Sequence, residues 1–103
     1  LHHIENWERK LIMCYLVVRH KVADYAKWRL SYDEDNTRRR AGGATGVSQV
    51  YRDTDDPNTT IAIMEWDTPE NALKFAHDPQ LASIMQKAGV IGQPSLVTVT
   101  SRA

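Results

Sequence analysis

Thr59-Thr-Ile-Ala-Ile-Met-Glu-Trp66 is the stretch that decides the fold. Successive side chains of a strand point to opposite faces. Ile61 and Ile63 therefore fall on one side, and Ala62, Met64 and Trp66 on the other. A strand apolar on both faces belongs in the middle of a sheet that is covered twice. Leu11-Ile-Met-Cys-Tyr-Leu-Val-Val18 has the same character, and Arg19, His20 and Lys21 are expected to end it. Two further strands alternate more. Thr45–Arg52 sets Val47, Gln49 and Tyr51 against Ser48, Val50 and Arg52, and Ser95–Ser101 sets Val97 and Val99 against Leu96, Thr98 and Thr100. Asp53-Thr-Asp-Asp-Pro-Asn58 is a loop dense in turn formers, and Gly92-Gln-Pro94 is a turn.

Between these strands the period changes. Val22–Arg40 reads as one helix with Tyr25, Trp28, Tyr32 and Asn36 on one stripe. Lys27, Ser31, Glu34 and Arg38 form the opposite stripe. Glu34–Arg38 and Asp35–Arg39 are spaced for i,i+4 ion pairs, and Gly42-Gly43 stops the helix. Asp67-Thr68-Pro69-Glu70 is a helix start in which either Asp67 or Thr68 caps, with Pro suited to the first turn. Ala72, Leu73, Phe75 and Ala76 supply its buried face. Asp78-Pro79 repeats the signal and opens a second piece with Leu81, Ile84, Met85 and Ala88 inward; Gly89 ends it.

The order β-α-β-β-α-β predicts an α+β, ferredoxin-like unit: a four-stranded antiparallel sheet with the first and third strands central. Those are the two strands apolar on both faces. Two helical segments cover only one face. Each large apolar side chain left in water forgoes ~1.5–3 kcal/mol, and a patch spanning two strands is unusually large for a monomer. A second copy, sheet face against sheet face, would cover it and bury on the order of 2,000 Å² or more. The expectation is a homodimer through the sheet face.

Composition agrees with one domain. The chain has 103 residues, 42% hydrophobic and 25% charged, with 13 acids against 13 bases. A balanced charge gives no electrostatic case for nucleic acid or a membrane surface. No apolar run is long enough to span a bilayer, and no leader pattern is visible, so a cytoplasmic protein is expected. The single cysteine, Cys14, excludes an internal disulfide framework and reads as an inert buried thiol. Residues 1–10, with His2 and His3, read as a flexible or tag-like arm; residues 11–103 form the domain. No metal site is expected: Asp53, Asp55, Asp56 and Asn58 do not fit a calcium loop. Gly42-Gly43-x-x-Gly46 precedes a strand, so it is no phosphate cradle.

The run Ile63-Met-Glu-Trp66-Asp-Thr-Pro-Glu-Asn-Ala-Leu-Lys-Phe-Ala-His77, with the Asp-Pro-x-Leu helix after it, resembles the dimeric α+β barrel superfamily. More narrowly it is similar to the antibiotic-biosynthesis-monooxygenase-like proteins. Met85-Gln-Lys-Ala-Gly-Val-Ile-Gly-Gln-Pro94 is similar to small cyclase-like members without assigned activity. The resemblance covers about residues 11–101. It implies a pocket between helices and sheet, and members whose activities range from cofactor-free oxygenation through isomerisation to haem degradation.

In haem-degrading members a strand-end Trp, a His on the next helix and an Asn on the first strand form the site. Trp66 and His77 stand at two of those positions, but Leu11–Val18 holds no Asn, so haem is not expected. No cofactor is implied. If the chain is an enzyme, the resemblance implies a cofactor-independent monooxygenase or isomerase with His77 as general base. Trp66, Tyr25, Trp28 and Tyr32 would line a cleft for a small, flat, apolar or aromatic molecule. The alternative is a non-catalytic dimer of the same fold, acting as a ligand-binding or accessory protein. Each of these side chains also has a plainer reading. The aromatic stripe and Trp66 can be core, His77 can answer a helix dipole, and Arg38-Arg39-Arg40 can complete a helix end. His20 and Asp33 could be imagined as an acid–base pair, which spacing alone does not support.

Overall fold

The first strand, β1, runs Met13–Val22 and passes straight through the three residues expected to end it. The structure, a computed structural model, describes residues 13–101. The arm expected over residues 1–10 and the first two residues of the expected strand lie outside that range. Cys14, Leu16, Val18, His20 and Val22 are all buried on one face, while Arg19 and Lys21 stay exposed on the other. The correction has a simple cause. Strand parity sends both cations outward and only the imidazole inward, so nothing charged has to be buried for the strand to continue.

After β1 come α1 (Tyr25–Glu34), α2 (Asn36–Gly42), β2 (Ala44–Arg52), β3 (Thr59–Trp66), α3 (Pro69–Ala76), α4 (Pro79–Lys87) and β4 (Val90–Ser101). The strands form one sheet in the order β2-β3-β1-β4, each neighbouring pair antiparallel. This is the expected ferredoxin-like α+β arrangement, with the two doubly apolar strands in the centre.

Three local expectations are corrected. The single helix over Val22–Arg40 starts later, where Asp24 caps Lys27 N at 3.2 Å, and is broken at Asp35. The break is slight, because Asp35 N still donates to Ser31 O and Asp35 O accepts from Arg39 N, both at 3.1 Å. Adjacent Asp and Asn side chains favour turn geometry over helix. The expected Glu34–Arg38 and Asp35–Arg39 pairs do not form: Arg38 takes Asp35 at 2.9 Å, and Arg39 turns inward. The Gly92-Gln-Pro94 turn is a bulge inside β4. Ile91 pairs with Lys21 and Ser95 with Arg19, so three residues oppose His20 alone, and Gly92 takes φ 72°.

The capped helix starts hold. Thr68 Oγ1 accepts from Asn71 N at 3.1 Å, and Asp78 Oδ1 from Gln80 N at 2.9 Å. Gly43 ends α2 at φ 122°, where a Cβ would lie 2.5 Å from Asp67 Oδ1, so this position needs glycine.

All four helices lie on one face of the sheet. Leu16, Val18, Ala62, Met64 and Trp66 meet Ala72, Phe75 and Leu81 in one cluster, and Val22, Trp28 and Ala88 form a second. Each fully buried aliphatic side chain there contributes roughly 1.5–3 kcal/mol. The opposite face carries Tyr15, Val17, Ile61, Ile63, Tyr51, Val97 and Val99 by register. At its flanks Tyr51 is 51% and Val97 49% exposed, so among the described residues this apolar face has no cover.

Candidate functional site

His20 enters the helix-covered face because it continues the parity of Leu16 and Val18. It sits opposite Thr60, whose Oγ1 donates to His20 O at 3.4 Å. The imidazole is 5% exposed and meets the edge-on ring of Trp28 at 5.2 Å. Neither ring nitrogen has a hydrogen-bond partner among the described residues. Burial pulls the pKa down to about 4, so the ring is neutral near pH 7. It then offers one N–H donor and one basic lone pair. Leaving such a buried group unsatisfied costs ~1–3 kcal/mol, a cost native folds seldom carry without a reason.

The aromatic stripe of α1 builds the next wall. Trp28 stacks on Tyr32 at 5.1 Å, and the Arg39 guanidinium lies over Tyr32 at 3.9 Å. Arg39 is itself only 5% exposed, and burial pulls its pKa below the ordinary value. The Tyr32 hydroxyl is a further buried polar atom with no partner among the described residues.

These groups surround a cavity of about 50 Å³ between sheet and helices. Val18, His20, Ala62 and Met64 form its floor. Trp28, Ser31, Tyr32, Asp35 and Arg39 line one side, and Phe75, Leu81, Ile84, Met85 and Ala88 the other. Ser31, read from the sequence as part of the solvent stripe, faces this space. Arg38 spans the two helix breaks beside it, holding Asp35 at 2.9 Å and reaching the α4 cap Asp78 at 3.3 Å. Asp33 pairs with Arg29 at 3.1 Å rather than with His20.

The structure separates the residues that the sequence grouped. Trp28 and Tyr32 line the cavity; Tyr25, Trp66 and His77 do not. Tyr25 is covered by Arg52 at 4.0 Å. Trp66 is buried one layer behind, packed at 5.0 Å on Phe75, which does line the cavity. His77 is exposed at the end of α3, its N–H spent on Leu73 O at 3.0 Å. Cys14 is buried, and burial, with Glu70 and Asp67 adding, raises its pKa, which keeps the thiol protonated. Among the described residues no three His, Cys, Asp or Glu side chains gather as metal ligands.

Comparison with known proteins adds the fold relationship. No protein-family model matches the chain, and no curated protein matches it. Solved structures do. A Bordetella bronchiseptica protein assigned to the antibiotic biosynthesis monooxygenases superposes with TM-score 0.68 at 12% identity, over 84% of this chain and 94% of that one. SnoaB, a cofactor-independent oxygenase from Streptomyces nogalater, gives 0.61 at 16% identity over 84% and 92%. A Streptomyces coelicolor monooxygenase in complex with nanaomycin D gives 0.62 at 18% identity over 91% of each chain. The chain has the antibiotic-biosynthesis-monooxygenase-like α+β fold.

At these identities the likeness carries the fold and not the residues. In this ABM-like chain the cavity has to be read from its own lining, and that lining centres on His20 and Arg39. Both had a sequence signal. His20 keeps the parity of the strand before it, and Arg39 is seven residues after Tyr32, two helical turns along the same stripe.

Proposed function

We propose that the protein is a cytoplasmic homodimer that binds a small, flat, largely apolar molecule in the helix–sheet cavity and acts on it as a cofactor-free monooxygenase. The observation that carries this reading is His20: buried, neutral, without a partner at either nitrogen among the described residues, and set in a mainly apolar cavity. With its pKa pulled down to about 4 the imidazole is a weak base by itself, but an enolate or phenolate forming beside it stabilises the imidazolium and draws the proton of an acidic C–H or O–H across. The resulting carbanion or enolate passes an electron to dioxygen and then combines with it. One oxygen atom stays in the product and the other leaves as water; for anthrone, C14H10O and O2 give anthraquinone and water. His20 takes the role that the resemblance gave to His77. The fold shared with SnoaB supports the same chemistry.

The dimer follows from the uncovered sheet face. Its apolar row of Ile63, Val17 and Val97 crosses β3, β1 and β4, with Gln49 at the β2 end. A second copy is self-complementary to such a face about a two-fold axis.

The test is oxygen uptake with anthrone as probe. Wild type is expected to turn over, and His20→Asn to fall by about a hundredfold or more, while His77→Ala keeps the wild-type rate. Turnover unchanged in folded His20→Asn contradicts the assignment. One observation favours the non-catalytic ligand-binding or accessory alternative: the cavity holds about 50 Å³, whereas a dry cavity of ~150 Å³ is needed for benzene. A multi-ring substrate enters only if the helix layer moves, and absence of turnover with retained ligand binding would select that alternative.

A further inference from the structure

Arg39 is the least expected group in the cavity. Its side chain is buried, it lines the space, and it makes no ion pair with any described residue. The acids nearest in sequence are engaged elsewhere: Asp35 with Arg38, and Asp33 with Arg29. The Tyr32 ring beneath it offers a cation–π contact at 3.9 Å, which offsets part of the desolvation, while Asp35 and Asp33 act on the guanidinium only at longer range and none of the described carboxylates pairs with its planar fork. Buried charges in native proteins are paired. The Tyr32 hydroxyl, a second donor, is also unpartnered. The rest of the lining is mainly apolar, with His20 in the floor.

We propose that the cavity selects for charge: its ligand is an aromatic molecule bearing an anionic oxygen, a carboxylate or an ionised acidic phenol, which seats on Arg39 and supplies the counter-charge that the fold lacks there. This rests on the reading that the cavity takes a flat apolar ligand, and adds the class of that ligand. Planar guanidinium and planar oxyanion match in shape. The neutral imidazole opposite adds no competing charge. Asp35, whose carboxylate is already held by Arg38, repels the anion less than a free carboxylate would.

The experiment compares ligands of equal shape and different charge on the full chain, by titration calorimetry. Naphthoate is set against naphthamide, and ionised nitronaphtholate against neutral naphthol. Each pair is measured on wild type, Arg39→Gln and Arg39→Lys. Wild type is expected to favour the anion of at least one pair by about tenfold or more. A preference in the first pair alone assigns a carboxylate, and in the second alone a phenolate. Arg39→Gln should bring the anion-to-neutral ratio to about one, and Arg39→Lys should keep part of the preference. Equal affinities in wild type overturn charge selection and leave the cavity reading standing, since the ligands still bind. Binding of none of the four overturns both. A preference that persists in folded Arg39→Gln overturns the assignment to Arg39. The wild-type comparison decides charge selection even if one variant does not fold, and Arg39→Lys then carries the test of the assignment to Arg39.

Discussion

The two faces of the sheet invert what a solitary domain would choose. The helix-covered face, where apolar contact is free, holds a neutral imidazole, a buried guanidinium and a tyrosine hydroxyl, the ring nitrogens and the hydroxyl without partners among the described residues. The open face, where water is free, holds Tyr15, Val17, Ile61, Ile63, Val97 and Val99. Unsatisfied polar groups inside and unsatisfied apolar groups outside each cost stability. Both costs vanish if something small occupies the inside and something large covers the outside. The contrast supports the proposed ligand site on one face and the proposed contact with a second copy on the other.

The covered face can be broken most severely at its packed centre, away from the cavity. Leu16 is fully buried between the central strands and the helices and does not line the cavity. Leu16→Ala is expected to lower unfolding free energy by ~2–5 kcal/mol in urea titration; a loss below 1 kcal/mol would mean that this face is not the core described. Acidification sharpens the picture next. His20 has a folded pKa of about 4, below the ordinary 6.5. The unfolded chain therefore takes up the proton first. Stability from this group is complete above pH 6.5 and is lost as pH falls through that value toward 4, by ~1–2 kcal/mol at pH 5. His20→Phe should flatten the pH 7 to pH 5 difference in urea midpoint, and an unaltered slope would place the imidazole in solvent. The smallest effect is expected at His77. It lies exposed outside the cavity, so His77→Ala should change stability by no more than ~0.5 kcal/mol and leave ligand binding as it is.

Much of this was legible in the residues. The Thr59–Trp66 strand has the bounds its alternation predicts, and Thr68 and Asp78 cap as their Pro neighbours imply. Local chemistry is enough for such features. The two central strands were placed by the same parity, because a face apolar on both sides admits few positions in a four-stranded sheet. The site was less visible. His20 stands between two cations and reads as the end of a strand until parity is carried two residues further. Arg39 sits in a run of three arginines, where solvation is the ordinary expectation. The cavity it lines is closed by Phe75, Leu81 and Met85 from the other half of the chain, and no period within α1 or α2 reports that. Trp66 and His77 drew attention through resemblance. The first is wall support behind Phe75, and the second is at the surface.

The assignment of the outer face is tested most directly by mass. Light scattering of the chain at low micromolar concentration is predicted to return twice the 11.7 kDa of one copy, and Val97→Asp, which sets a charge at the β4 end of the uncovered row, is predicted to return a single copy. A wild-type mass of one copy at that concentration would contradict the account.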